Sequence, residues 1–157
     1  VKITVVAVGR VRGSLAPAVA EYEERAARYW KLEVVEVDAG APGRAPTPER
    51  VRSAEGDRLL GRIGGTADVF ALTRQGRGST SEDLARTLQD LTLRSSREVA
   101  FVIGGAFGLD ARVLARAGYR YSLSSLTFPH EMARLLLAEQ LYRAGTILRG
   151  EPYHKGA

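Results

Sequence analysis

The chain predicts an α/β fold with a mostly parallel sheet and helices on both faces, and two observations predict it. Short β-rich runs alternate with helical periods along the whole sequence, and those runs are apolar on successive residues, as strands buried on both faces are. At 157 residues, with 45% hydrophobic and 26% charged side chains, the expectation is a single domain over residues 1–157 with one real core.

The elements follow in order. Lys2 to Val8 (KITVVAV) is a short apolar run closed by Gly9. From Leu15 to Trp30 the period becomes helical: Leu15, Ala18, Val19, Tyr22, Ala26 and Tyr29 share a face, Ser14 is placed to cap it, and Pro17 is tolerated in the first turn. A second strand is expected at Leu32 to Asp38. The segment AGAPGRAPTPE, with three prolines and two glycines, makes the longest loop and the expected flexible element. Pro48 to Ile63 is helical and Arg-rich, and Asp68 to Leu72 (DVFAL) is a third strand. TRQGRGST reads as a basic loop, after which Ser81 to Arg94 is helical, with Ser81 as cap and Glu82 and Asp83 at the positive end. Glu98 to Ile103 is a fourth strand running into GGAFGLD. A short helix over Asp110 to Ala117 leads to a fifth strand at Tyr119 to Leu123, then SSLTFP, and then a long helix from His130 to Ile147.

Composition narrows the function classes. The net charge of +5 leans toward an anionic partner, nucleic acid first among them, although an Arg-rich background alone could also produce it. Zero cysteines exclude thiol catalysis, disulfides and cysteine-ligated metal. Two histidines far apart, without an acidic cluster at ligand spacing, predict no metal site. No apolar run approaches the roughly 20 residues that span a bilayer, and VKITVVAVGR lacks a signal-peptide cleavage site, so a cytoplasmic location and no membrane contact are expected.

Ligands of parallel sheets bind beyond the carboxyl ends of the strands, and three loops of the second half leave such ends: Thr73 to Thr80, Gly104 to Asp110 and Ser124 to Pro129. GGAFG matches neither the dinucleotide nor the phosphate-loop glycine pattern, and Asp110 places a carboxylate where a phosphate would need the helix end. This loop suits a ligand without phosphates, or is simple turn punctuation. SLSSLTFP has eight uncharged residues with four hydroxyls, which suits a flat heterocycle held by backbone groups. A buried crossover whose hydroxyls satisfy local backbone would look the same. The long helix has two apolar faces, Met132, Leu135, Leu136 and Tyr142 on one and Leu137, Ala138, Leu141 and Ala144 on the other, so one packs on the sheet and the second fits a subunit interface. Glu139 and Arg143, four apart, form either an ordinary helix ion pair or a site where Arg143 meets an RNA phosphate.

Gly104-Gly105 after the fourth strand, SLSSLTFPH, AEQLYRA and the closing RGEPYHK resemble the SPOUT-class, RlmH-type methyltransferases, which methylate N3 of a pseudouridine in 23S ribosomal RNA. The likeness runs from VAVG near the start to the tail. It implies a carboxyl-terminal trefoil knot, an exception to the general absence of knots, and a homodimer. It also implies that S-adenosylmethionine binds at Leu72 and Thr73, at Gly104 and Gly105, and at Ser124, Ser125, Leu126, Thr127, Phe128 and Pro129. The RNA-side catalytic residues it implies are Arg143, Tyr153 and His154. Ala106 and Phe107 depart from the family's often polar residues, so the likeness assigns their side chains no role.

On that likeness the reaction is direct in-line transfer of a methyl to nitrogen, which needs no cysteine adduct. The imide N–H must lose its proton, and His154 is the expected base because an unperturbed imidazole is largely neutral near pH 7. Tyr153 would stack on the base for about 1–3 kcal/mol, and Arg143 and Lys155 would neutralise phosphate or developing charge. His130, at the start of a helix, reads as structural. With little recognition surface of its own, the protein is expected to act on the assembled ribosome. The tail GEPYHKGA is expected to be mobile without RNA and could act in cis or across the dimer. The competing class is a non-catalytic RNA-binding α/β module, which the charge alone would support but which leaves the uncharged loop unexplained.

Overall fold

The computed structural model describes residues 1–155; the tail's last two residues, Gly156 and Ala157, lie outside the described residues. Five strands form one sheet, β1 (Lys2–Val8), β2 (Lys31–Val37), β3 (Asp68–Gly78), β4 (Glu98–Ile103) and β5 (Tyr119–Ser122). Their order is β2-β1-β4-β3-β5, and every pairing is parallel. The helices between them are α1 (Ala16–Ala26), α2 (Pro48–Leu60), α3 (Ser81–Leu93) and α4 (Ala111–Arg116), and α5 (His130–Leu148) follows β5.

Strand periodicity sorts the core into two layers. Successive side chains of a strand point to opposite faces. Ile3, Val5, Phe70, Val99 and Phe101 meet Ala26 of α1, Leu84 and Leu88 of α3 and Leu137 and Leu141 of α5. Val6, Val8, Val69, Ala100 and Val102 meet Leu59 of α2 and Val113 of α4 on the other side. Helices therefore cover both faces, as the doubly apolar runs required.

Three local expectations are corrected. Ser14 does not cap the first helix: Gly13–Leu15 form a 3-10 turn, and Leu15 precedes α1 with no side-chain cap. Ser81 does not cap α3 either, because Thr80 does, in a capping box where its Oγ1 accepts from the Asp83 amide and its own amide donates to Asp83. Ser81 instead donates to Gln140 on α5 at 2.6 Å, joining the two helices. The third correction concerns β3, which continues six residues past Leu72 through most of the expected basic loop, with a register shift between Leu72 and Arg77 against β5. Gly76 permits this, since a Cβ there would stand 2.7 Å from the Arg120 carbonyl. The proline-rich loop is tied down at its start: Gly40 N–H donates to Glu55 at 2.8 Å, and Arg58 donates to the Asp38 and Gly40 carbonyls at 2.7 Å each.

Of the two apolar faces of α5, Leu137, Ala138, Leu141 and Ala144 are buried on the sheet, while Met132, Leu135 and Leu136 remain half-buried. Arg134 between them is nearly buried and pairs with Glu23 of α1 at 3.1 Å and with Glu36 of β2 at 2.5 Å. None of the described helices is long and apolar enough to cross a membrane.

Candidate active site

The extension of β3 past Leu72 and the loops beyond β4 and β5 converge on one cavity of about 900 Å³. That is the size of a small-molecule cleft, and it lies where ligands of parallel sheets bind. Leu72, Thr73, Gly104, Gly105, Ser124, Leu126, Thr127, Phe128 and Pro129 all line it; Ser125 does not. Ala106 and Phe107 line it too, and Phe107 and Leu126 are exposed at 48% and 68%, large apolar side chains that face solvent.

The glycines are needed for space. A Cβ on Gly104 would come within 3.0 Å of the Gly108 backbone, and one on Gly105 within 2.9 Å of the Glu55 carboxylate beneath the loop. Gly108, at φ +80°, turns the loop back so that its N–H donates to the Gly105 carbonyl at 3.1 Å. Asp110 caps α4, accepting from the Arg112 amide at 2.7 Å, so that helix end already carries its anion. In the third loop Ser122 donates to the Ser124 carbonyl at 2.8 Å, and Ser124 Oγ accepts from the Leu126 amide at 3.0 Å. These two hydroxyls serve local backbone, as the alternative reading of this loop anticipated, while the loop as a whole walls the cavity. Arg52 and Arg74 were not singled out from the sequence, yet they supply cations to a wall made mostly of glycine, apolar and hydroxyl residues. His130 also lines the cavity and presses on Gly9, where a Cβ would stand 3.0 Å from its Cε1, which gives it a packing role beside the cleft.

Arg143, Tyr153 and His154 form a second cluster. Arg143 donates to Glu139 through Nε at 2.9 Å and through Nη2 at 2.5 Å, and its guanidinium carbon lies 4.8 Å from the centroid of the Tyr153 ring. Tyr153 donates to the same Glu139 oxygen at 3.0 Å, and its ring packs 4.6 Å from that of Tyr142. Burial and the Glu139 carboxylate push the Tyr153 phenol above its ordinary range, and the hydrogen bond to Glu139 raises Arg143. His154 lies 3.1 Å from Arg143 Nη1 through Nδ1 and 2.7 Å from Glu82 through Nε2. That bond holds the Glu82 carboxyl below the usual range.

The tail expected to be mobile is thus docked as far as His154. Its approach is anchored as well, because Tyr29 donates to Glu151 at 2.5 Å. The ion pair between Glu139 and Arg143 exists as the helix spacing predicted, but its arginine also holds the tail. Lys155 is exposed. None of the three residues lines the cavity within one chain: Arg143 is ten residues beyond Ala133, the last residue of α5 on the cavity wall, about 15 Å along the axis. Among the described residues no group of three His, Cys, Asp or Glu side chains is gathered to hold a metal.

A family model described as a predicted SPOUT methyltransferase matches residues 1–154, which takes in both the cavity and the docked tail. The chain belongs to the SPOUT methyltransferase family. A protein of Gemmatimonas aurantiaca named ribosomal RNA large subunit methyltransferase H is 49% identical, over 98% of this chain and 99% of its own. Proteins of the same name from Pelotomaculum thermopropionicum and Clostridioides difficile are 46% and 43% identical, over 97% and 98% of this chain and 98% and 99% of theirs. In this SPOUT methyltransferase, sequence reasoning missed Glu82 and Glu139 as partners of the tail. Glu139 was legible only as a helix ion pair. Glu82 carried no signal beyond its place in the first turn of α3.

Proposed function

We propose that this methyltransferase transfers a methyl from S-adenosylmethionine to N3 of a pseudouridine in 23S ribosomal RNA, acting in the cytoplasm as a homodimer on the assembled ribosome. One observation carries the reading: the cavity between the extension of β3 and the loops beyond β4 and β5 gathers nine of the ten residues assigned to the methyl donor. The cleft fits that ligand. It offers apolar walls from Leu72, Leu126 and Phe128, hydroxyls from Thr73 and Thr127, and a glycine cradle with no space for side chains. Of the two helix starts beside it, that of α4 is occupied by Asp110 and that of α5 carries Glu131 in its first turn, which suits a ligand without phosphates.

S-adenosylmethionine supplies a methyl made electrophilic by its sulfonium. Gly104, Gly105 and the Ser124–Pro129 loop would hold it in place, and orientation of this kind can be worth roughly 7–11 kcal/mol. His154 would take the imide proton, Tyr153 would stack on the target base, and Arg143 would meet phosphate. Because Arg143 lies about 15 Å along α5 from Ala133 on the cavity wall, and Tyr153 and His154 pack beside it, a tail acting on the cleft of a second subunit would bring the two clusters together. The half-buried Met132, Leu135 and Leu136 face of α5 and the exposed Leu126 and Phe107 supply apolar surface for that subunit. A carboxyl-terminal trefoil knot belongs to the same proposal.

Radiolabelled methyl transfer to free RNA, isolated subunits and intact ribosomes tests the substrate, with labelling of ribosomes expected. Equal labelling of free RNA would defeat the ribosomal substrate. Calorimetry with S-adenosylmethionine separates the enzyme from a non-catalytic RNA-binding module, since absence of binding removes the enzyme reading.

A further inference from the structure

His154 is gripped at both ring nitrogens, and the two grips differ in kind. A guanidinium has only donors, so the nitrogen that Arg143 Nη1 approaches at 3.1 Å, Nδ1, must present its lone pair. The ring proton then sits on Nε2 and donates to Glu82 Oε1 at 2.7 Å. Glu82 lies in the first turn of α3, where the positive end of the helix favours a carboxylate. The charged and titratable groups that face or flank the imidazole are Glu82 from α3, Arg143 and Glu139 from α5, and Tyr153 and Lys155 from the tail itself.

We propose that Glu82 is a positioning residue that pins His154 in its Nε2–H form and so makes Nδ1 the nitrogen that takes the pseudouridine proton, with Arg143 masking Nδ1 until RNA draws the guanidinium away. The inference rests on His154 being the base. In the step, the N3–H bond breaks and an Nδ1–H bond forms. The N3 electron pair forms the new bond to the methyl carbon, and the pair of the broken sulfur–carbon bond stays on sulfur. The imidazolium that results keeps its Nε2–H bond to the Glu82 carboxylate, which stabilises it, as an orienting carboxylate does for other catalytic histidines. While Arg143 remains at 3.1 Å, its N–H occupies the Nδ1 lone pair. Arg143 is the residue in the cluster suited to an RNA phosphate, so arrival of RNA would remove the mask and expose the base together.

The test uses the full chain labelled with nitrogen-15 in histidine, together with transfer kinetics on the ribosomal substrate. In the RNA-free protein, His154 is expected as the Nε2–H form. Glu82→Ala combined with Arg143→Ala should lose that preference, while Glu82→Ala alone should lower kcat about tenfold or more with KM for ribosomes unchanged, and Glu82→Gln, whose amide oxygen still accepts from Nε2, should restore most of the rate. An Nδ1–H tautomer in the wild type, or a Glu82→Ala kcat equal to wild type, overturns the proposal. His154→Ala is measured in parallel: an inactive His154→Ala beside an unaffected Glu82→Ala removes Glu82 alone, whereas an active His154→Ala removes the base reading and the proposal with it.

Discussion

The phenol of Tyr153 donates to Glu139 Oε1 over 3.0 Å, onto the same oxygen that takes two donors from Arg143. One half-buried carboxylate therefore fixes both the aromatic and the cationic members of the tail cluster. Glu139→Ala is expected to leave both without their acceptor and to cost about 1–3 kcal/mol of stability. Urea denaturation measures the loss, and an unchanged midpoint would show that the tail is held by its ring contacts instead.

Tyr29 stands directly over the bare Cα of Gly145, where an added Cβ would overlap the ring. Gly145→Ala should destabilise the protein by about 1–3 kcal/mol through overpacking of the turn after α1 against α5. Adding Tyr29→Ala should recover part of that loss, so a double-mutant cycle should show coupling, and strict additivity would place the strain elsewhere.

Gly104→Ala places a Cβ 3.0 Å from the Gly108 backbone and should open the loop that walls the cavity. Weakening of S-adenosylmethionine binding by more than about tenfold is expected, at about 1.4 kcal/mol per factor of ten. Calorimetry reads it directly, alongside a thermal scan that should show the fold retained.

Acid should destabilise the protein through carboxylates held below their ordinary values. Asp110 is lowered chiefly by its hydrogen bonds to the Arg112 side chain and amide, Asp83 by the Thr80 amide and hydroxyl, and Glu82 by His154. A carboxylate whose folded-state pKa is depressed adds stability above its unfolded value, here 3.8 for Asp and 4.5 for Glu, and that stability is lost as pH falls through the folded-state value. Stability should therefore be level at neutral pH and decline below about 4.5. Asp110→Asn should flatten part of that decline, and a parallel curve in denaturation between pH 6 and pH 3 would count against it.

Much of the fold was legible because burial on two faces leaves a direct trace in sequence. KITVVAV and EVAFVI are apolar at successive positions, and they are the strands covered by helices above and below. The cavity loops after β4 and β5 were legible for a related reason, since the carboxyl ends of parallel strands are where connecting segments can turn freely. Less visible were choices between adjacent residues of similar chemistry, such as Thr80 over Ser81 as a cap, decided by which hydroxyl the chain brings to the Asp83 amide. The extension of β3 was hidden as well, because TRQGRG has the composition of a loop and becomes strand only where Gly76 lets it approach β5.

The sequence by itself determined the order and faces of the elements, the two loops after β4 and β5 that wall the cavity, and the concentration of an aromatic ring, an imidazole and a cation at the tail. Those follow from local periodicity and residue chemistry, which act over a few positions. Tertiary structure decided the partners: Glu82 for His154 across 72 residues, Glu23 and Glu36 for Arg134, and the separation of the tail cluster from the cavity along α5. Periodicity tells which side of an element is buried, whereas the side chain that meets it there depends on how distant elements pack.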